Sequence, residues 1–173
     1  MAYATSSKFT TTQANALSTV EPTSLVPEVS ARIQRLATDD QLALLWFIYL
    51  EMGKSITPAA PGAARLQLAE GLLTQVKALS PEEQMGFMRD LVAQRNTPLS
   101  RAYGVFNANT KLGFWYCLAQ GMDEGTVVRV PQSYKPSRAV QEILNVLVTQ
   151  TNFSQQITIL RNAVVNMGFD ALS

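Results

Sequence analysis

The stretch Asp40-Gln-Leu-Ala-Leu-Leu-Trp-Phe-Ile-Tyr-Leu-Glu-Met-Gly53 decides the fold. Leu42, Leu45, Trp46 and Tyr49 fall at i, i+3, i+4 and i+7, so two leucines and two large aromatics share one face of a helix. Just ahead of it, Thr38-Asp39-Asp40-Gln41 has the spacing of a capping box with Thr38 as cap, and Gly53 is placed to end the helix. A second stripe follows between Thr110 and Asp123, where Leu112, Trp115, Ala119 and Met122 recur at helical spacing. Asn107-Ala108-Asn109 offers its caps and Gly125 its stop. Both tryptophans of the chain therefore lie on apolar stripes, one on each of two helices.

Outward from these two helices the pattern stays helical. Val29, Ile33 and Leu36 follow Pro27 at helical spacing, which places a first firm helix there. Residues 1 to 24, rich in Ser, Thr and Ala, read as a flexible N-terminal arm, and 25 to 173 as one helical domain. Pro58, Pro61 and Gly62 make a break, after which Leu66, Ala69, Leu72, Leu73 and Val76 predict an amphipathic helix to about Leu79. Ser80-Pro81-Glu82-Glu83 predicts a capping box with proline at the first helical position. A short helical turn is expected over Leu99 to Tyr103, and helices over about Ser137 to Gln150 and Ser154 to Met167, the last with Gly168 as a left-handed C-cap. Val127-Val-Arg-Val-Pro131 has strand-like residues but no partner run, so it is expected to be an extended connector. The fold class is all-α, with proline breaks that suit two packed bundles.

Composition removes several function classes. In 173 residues, 14 Lys and Arg nearly balance 13 Asp and Glu, so no overall field favours nucleic acid or acidic lipid. The absence of histidine removes the commonest metal ligand and the commonest general base, and no metal site is expected. Glu51, Glu70 and Asp90 are scattered helical acids, better read as solvated or salt-bridged than as a catalytic set, so the chain is read as not an enzyme. The single Cys117, inside Phe114-Trp-Tyr-Cys-Leu118, reads as a buried thiol of a reducing compartment. The N-terminus lacks the features of a secretory signal, and the longest apolar run, Leu42 to Leu50, is far shorter than the about 20 residues of a membrane span. These features predict a soluble, cytoplasmic protein.

An aromatic stripe at helical spacing more often fills a core than holds a ligand. Small residues interrupt these stripes, however: Gly62, Ala63 and Ala64 before one helix, Gly113 and Ala119 within another. Such positions let a flat apolar object approach the backbone. Met52, Met85, Met88, Met122 and Met167 suit either gap filling or an adaptable ligand surface.

The stretch 40–53 strongly resembles a helix of the orange carotenoid protein N-terminal domain that holds a ligand-flanking tryptophan. Ile56-Thr-Pro-Ala-Ala-Pro-Gly-Ala-Ala64, Lys111-Leu-Gly-Phe-Trp-Tyr116, Met122-Asp-Glu-Gly125 and Gln155 through Asp170 carry the same resemblance, in order and almost without gaps from about Val26 to Asp170. It implies two discontinuous four-helix bundles with a ligand tunnel between them. A non-covalently held keto-carotenoid, canthaxanthin or echinenone-like, would thread that tunnel. Full-length members continue into a second domain, so a chain stopping at Ser173 resembles a stand-alone helical carotenoid protein.

By that resemblance the tunnel lining comprises Leu42, Leu45, Trp46, Tyr49, Gly62, Met88, Leu112, Gly113, Trp115, Ala119, Met122, Val130, Pro131, Tyr134 and Met167, with Trp46 and Trp115 flanking one end ring. Arg161 and Asn109 match residues that meet the second domain or the phycobilisome antenna, so they are the implied partner-binding positions. The implied function is photoprotective quenching of singlet oxygen or of phycobilisome excitation. The implied location is the cytoplasm, with the antenna linking the protein to the cytoplasmic face of thylakoid membranes. A carrier that exchanges pigment with a separate homologue of the C-terminal domain, and a ligand-free helical scaffold, are the alternatives. Cys117 and Gly121 stand where the two-domain proteins usually have larger or charged residues, and Ala119 where they have glycine.

Overall fold

A computed structural model of the chain describes residues 22–53 and 66–172. Among them are eight helices and no strand: α1 Pro22–Gln34, α2 Thr38–Met52, α3 Leu66–Lys77, α4 Pro81–Val92, α5 Pro98–Gly104, α6 Ala108–Glu124, α7 Arg138–Gln150 and α8 Phe153–Val165. The contacts sort them into two groups that are not contiguous in sequence. Helix α7 packs on α1 and α2, and α8 on α1, while α3 packs on α6, α4 and α5, and α4 on α5. The groups meet where α6 lies along α8 and where α2 crosses α4 and α6. This is the expected pair of discontinuous four-helix bundles.

Most helix ends follow their sequence signals. Ser80 accepts from the Glu83 N–H at 3.3 Å while the Glu83 carboxylate accepts from the Ser80 N–H at 2.9 Å, which completes the capping box of α4. That hydrogen bond holds the Glu83 carboxyl below its ordinary range. Asn107 caps α6, Ser137 caps α7, and Asn152 with Gln155 forms a second box on α8. Gly125 ends α6 in the left-handed region, at φ 80°.

Four expectations are corrected. The first helix begins at Pro22, ahead of Pro27, which lies inside it. Proline there forgoes one backbone hydrogen bond near the helix start, a small loss beside the burial of Val29 and Ile33. Thr38 is the first residue of α2 and makes no cap, because Gln41 turns back to donate to the Leu36 carbonyl at 2.9 Å. Gly168 does not cap α8, whose C-cap is Asn166. With φ 81°, Gly168 directs the chain back onto the other group, where its N–H reaches the Leu91 carbonyl at 2.8 Å. Cys117 is half-buried rather than buried; burial is the main influence that pushes its thiol up, and Glu70 adds to it. The break at Pro58, Pro61 and Gly62 and the N-terminal arm before Pro22 lie outside the described residues.

Connector and bundles are tied by buried polar groups. Gln84, 4% exposed, donates to the carbonyls of Val76 and Thr126 and accepts from the Val128 N–H at 2.8 Å. One amide thereby fixes the end of α3, the start of α4 and the extended segment from Val127 onward, which forms no sheet.

Candidate functional site

The facing stripes of α2 and α6 do not close on each other. Between them, with α8 as a third wall, runs a slot of about 60 Å³ lined by Leu42, Leu45, Trp46, Ile48, Tyr49 and Gly53 from the α2 side. Asn109, Leu112, Gly113, Trp115, Tyr116, Ala119 and Met122 line it from α6, and Ile157, Leu160 and Val164 from α8. At its floor Trp46, Trp115, Gly113 and Ala119 are buried. Leu45, Tyr49, Leu112 and Tyr116 at its mouth are half-exposed.

Aromatic geometry shapes the slot. The Trp46 and Tyr49 rings stack, with centroids 5.8 Å apart and planes 20° from parallel. Tyr116 meets Tyr49 edge-on at 5.8 Å. On the opposite wall the Trp115 indole N–H donates to the Tyr103 hydroxyl at 2.9 Å.

A second cavity, of about 400 Å³, lies on the other side of Leu42, which lines both. Its walls are Pro81, Met85, Val128, Val130, Pro131 and Tyr134, and its rim carries Asp39, Glu82, Arg89 and Arg129. Arg89 grips Asp39 with two bonds of 2.8 and 3.0 Å, which holds the Asp39 carboxyl below its ordinary range. The Tyr134 hydroxyl donates to Asp40, and its phenol is pushed up to about 12 by burial and by that carboxylate. The connector is thus pinned over the start of α2.

Nine of the fifteen sequence-derived lining residues come together in the slot: Leu42, Leu45, Trp46, Tyr49, Leu112, Gly113, Trp115, Ala119 and Met122. Val130, Pro131 and Tyr134 line the second cavity. Met88 and Met167 are buried in the core and line neither cavity. Gly62 lies outside the described residues. Ile48, Gly53, Tyr116, Ile157, Leu160 and Val164 were not anticipated, although Ile157, Leu160 and Val164 stand at i, i+3 and i+7.

Asn109 and Arg161 share a distinctive state. Asn109 Oδ1 and Arg161 Nε are the buried side-chain polar atoms of the described residues that have no hydrogen-bond partner. An unpaired buried polar atom costs on the order of 1–3 kcal/mol, so such atoms are uncommon without a use. The scattered acids behave as expected: Glu51 and Glu70 are exposed and Asp90 pairs with Arg95 at 3.7 Å. Among the described residues no His, Cys, Asp or Glu cluster could hold a metal, and no helix is long and apolar enough to cross a membrane.

Residues 19–170 match the family model described as orange carotenoid protein, N-terminal. An orange carotenoid-binding domain-containing protein of Nostoc sp. (strain PCC 7120) is 56% identical over 140 residues, which is 81% of each chain. The solved Anabaena (Nostoc) sp. orange carotenoid protein binding canthaxanthin superposes with a TM-score of 0.76 at 47% identity, covering 85% of this chain and 47% of that one. The red carotenoid protein of the same organism, also binding canthaxanthin, gives 0.74 at 44% identity, covering 84% of this chain and 99% of that one. The chain thus spans nearly the whole of the latter and under half of the former.

Gly53 explains how Tyr49 can lie along the slot. A Cβ at Gly53 would stand 2.7 Å from Cδ2 of the Tyr49 ring and closer still to the Tyr49 carbonyl. Gly53→Ala is therefore expected to displace Tyr49 from its stack on Trp46, altering the near-ultraviolet circular dichroism and tryptophan emission, at a stability cost of about 1–3 kcal/mol. Unchanged aromatic spectra would contradict this packing.

Proposed function

We propose, from the premise that this chain belongs to the orange carotenoid protein N-terminal family, that it binds a keto-carotenoid non-covalently along the seam between its two bundles and serves photoprotection. The observation that carries the reading is the pair of tryptophan stripes on α2 and α6 facing each other across an apolar slot. Two packed core helices of the same composition would have closed that gap. Relatives that bind canthaxanthin share the fold over more than four-fifths of this chain.

The residues fit such a ligand. A carotenoid is a rigid apolar rod about as long as a 20-residue helix, ~30 Å, so it needs more than one cavity. Leu42 lines both the slot and the second cavity, so a rod running from Trp115 to Val130 would have to displace its side chain. Trp46 and Trp115 would flank an end ring, while the half-exposed Tyr49 and Leu112 part to admit it. Burial supplies the affinity, at roughly 25 cal/mol per Å² of apolar surface before the costs of association. When bound, the carotenoid supplies a low-lying excited state that takes energy from singlet oxygen or from antenna pigments and releases it as heat. The protein contributes no acid or base to this, and the chain is read as not an enzyme.

A second reading concerns partners and is favoured by the two orphaned atoms. Asn109 Oδ1, an acceptor, and Arg161 Nε, a donor, lie on α6 and α8, the helices at which the bundles meet. Both atoms are buried, so a partner presenting a carboxylate and an N–H would satisfy them only after the two side chains turn outward. We assign them to docking, either on the phycobilisome at the cytoplasmic face of thylakoid membranes or on a separate homologue of the C-terminal domain that exchanges pigment.

Expression in a host that makes canthaxanthin tests the main reading. The purified protein is expected to carry a visible absorption band that follows it through gel filtration. A colourless but well-folded product would leave the ligand-free helical scaffold in its place. Arg161→Glu is expected to leave pigment content and helicity unchanged and to weaken association with phycobilisomes or a C-terminal-domain homologue, most strongly at low salt. Binding equal to wild type would remove Arg161 from the docking surface, and loss of pigment would make it structural.

A further inference from the structure

We propose that Tyr103 is a positioning residue of the pigment site, whose hydroxyl sets the orientation of the Trp115 indole from behind the slot wall. The proposal rests on the pigment reading of the seam and deepens it. Three elements meet in one relay: the Trp115 N–H on α6 donates to the Tyr103 hydroxyl on α5 at 2.9 Å, and that hydroxyl donates to the Val164 carbonyl on α8 at 2.9 Å. Trp115 and Val164 both line the slot, whereas Tyr103 is fully buried and does not.

The relay is held from every side. Phe114 meets the Tyr103 ring edge-on at 5.4 Å, Phe106 leans on it at 5.9 Å, and the Lys111 ammonium lies 5.1 Å from its centroid. Gly168 closes the remaining side, where a Cβ would stand 2.5 Å from Cδ1 of the ring. Burial pushes the phenol well above its ordinary value, so the hydroxyl keeps the proton it gives to Val164. An indole has a single donor, and a buried donor without a partner is costly, so the Tyr103 oxygen fixes where the Trp115 N–H points, while the edge-on Phe114 ring, 6.3 Å away, restrains rotation about that bond. The face that Trp115 offers the slot is thereby set by a residue that never touches the ligand.

The test uses the full chain carrying Trp46→Phe, which leaves Trp115 as its one indole. In the pigment-free protein the Trp115 indole N–H, followed by nuclear magnetic resonance, is expected to exchange with solvent about fivefold or more slowly than after Tyr103→Phe, the factor that one neutral hydrogen bond represents. With canthaxanthin bound, Tyr103→Phe in the otherwise native chain is expected to shift and broaden the visible band. The same change in a Trp115→Phe background should leave the band where Trp115→Phe alone puts it, an outcome that general loosening of the core would not give. Gly168→Ala, which pushes on the Tyr103 ring, supplies a second variant expected to move the band. An unprotected indole N–H in the parent overturns the relay, and reading it requires no Tyr103 variant to fold. A canthaxanthin band indifferent to both variants overturns the positioning role while leaving the pigment reading standing. A native chain that takes up no canthaxanthin overturns the pigment reading and the positioning role together, with the hydrogen bond still measured in the pigment-free protein.

Discussion

The rest of the structure depends on the hold that α6 has on the end of α8, and the group that exerts it is a buried ammonium. Lys111, only 5% exposed, donates from Nζ to the Val165 carbonyl at 2.6 Å and to the Met167 carbonyl at 3.1 Å. It satisfies carbonyls that a helix end leaves without partners, and its positive charge suits that end of the helix dipole. Burial lowers the affinity of Lys111 for its proton, a cost that the charge of Asp170, the two carbonyl acceptors and the Tyr103 ring offset. These bonds tie α6 to the end of α8, the helix that forms the third wall of the slot.

A similar logic holds the other end. The Asp39–Arg89 pair links α2 to α4, Tyr134 ties the connector to Asp40, and Gln84 binds it to α4. The exposed ion pair adds little stability by itself. Its place at the rim matters more, because it spaces α2 from α4 where the second cavity begins. Polar contacts therefore flank both the apolar slot and the second cavity.

The two slot-lining helices were legible in the sequence because their stripes are periodic: Leu42, Leu45, Trp46 and Tyr49 share one face, and so do Leu112, Trp115, Ala119 and Met122. The capping box at Ser80 was legible, the one at Asn152 went unread, and at Thr38 the signal misled, since the helix starts one residue earlier with Ala37 as N-cap and Gln41 donates to the Leu36 carbonyl. Family resemblance reached Val130 and Tyr134, which no pattern joins to Trp46. Both readings missed what distant pairing decides. Tyr103 bonds a residue 12 positions away and another 61 away. Lys111 looks like any helical lysine until its carbonyl partners, 54 and 56 residues on, are in place. Resemblance also assigned Met88 and Met167 to the ligand lining; both are buried in the core and line neither cavity.

Whether the tryptophan stripes form a ligand site or a filled core is the central question, and paired stability measurements answer it most directly. Trp46→Ala and Trp115→Ala are each unfolded in denaturant, once without pigment and once loaded with canthaxanthin. Ligand-flanking rings predict a modest loss in the pigment-free protein and a larger one in the loaded protein, because each missing ring weakens the binding that adds RT ln(1 + [L]/Kd) to the native state. Losses of about 3–5 kcal/mol that are equal in both forms, as for rings packed in an ordinary core, would contradict the account.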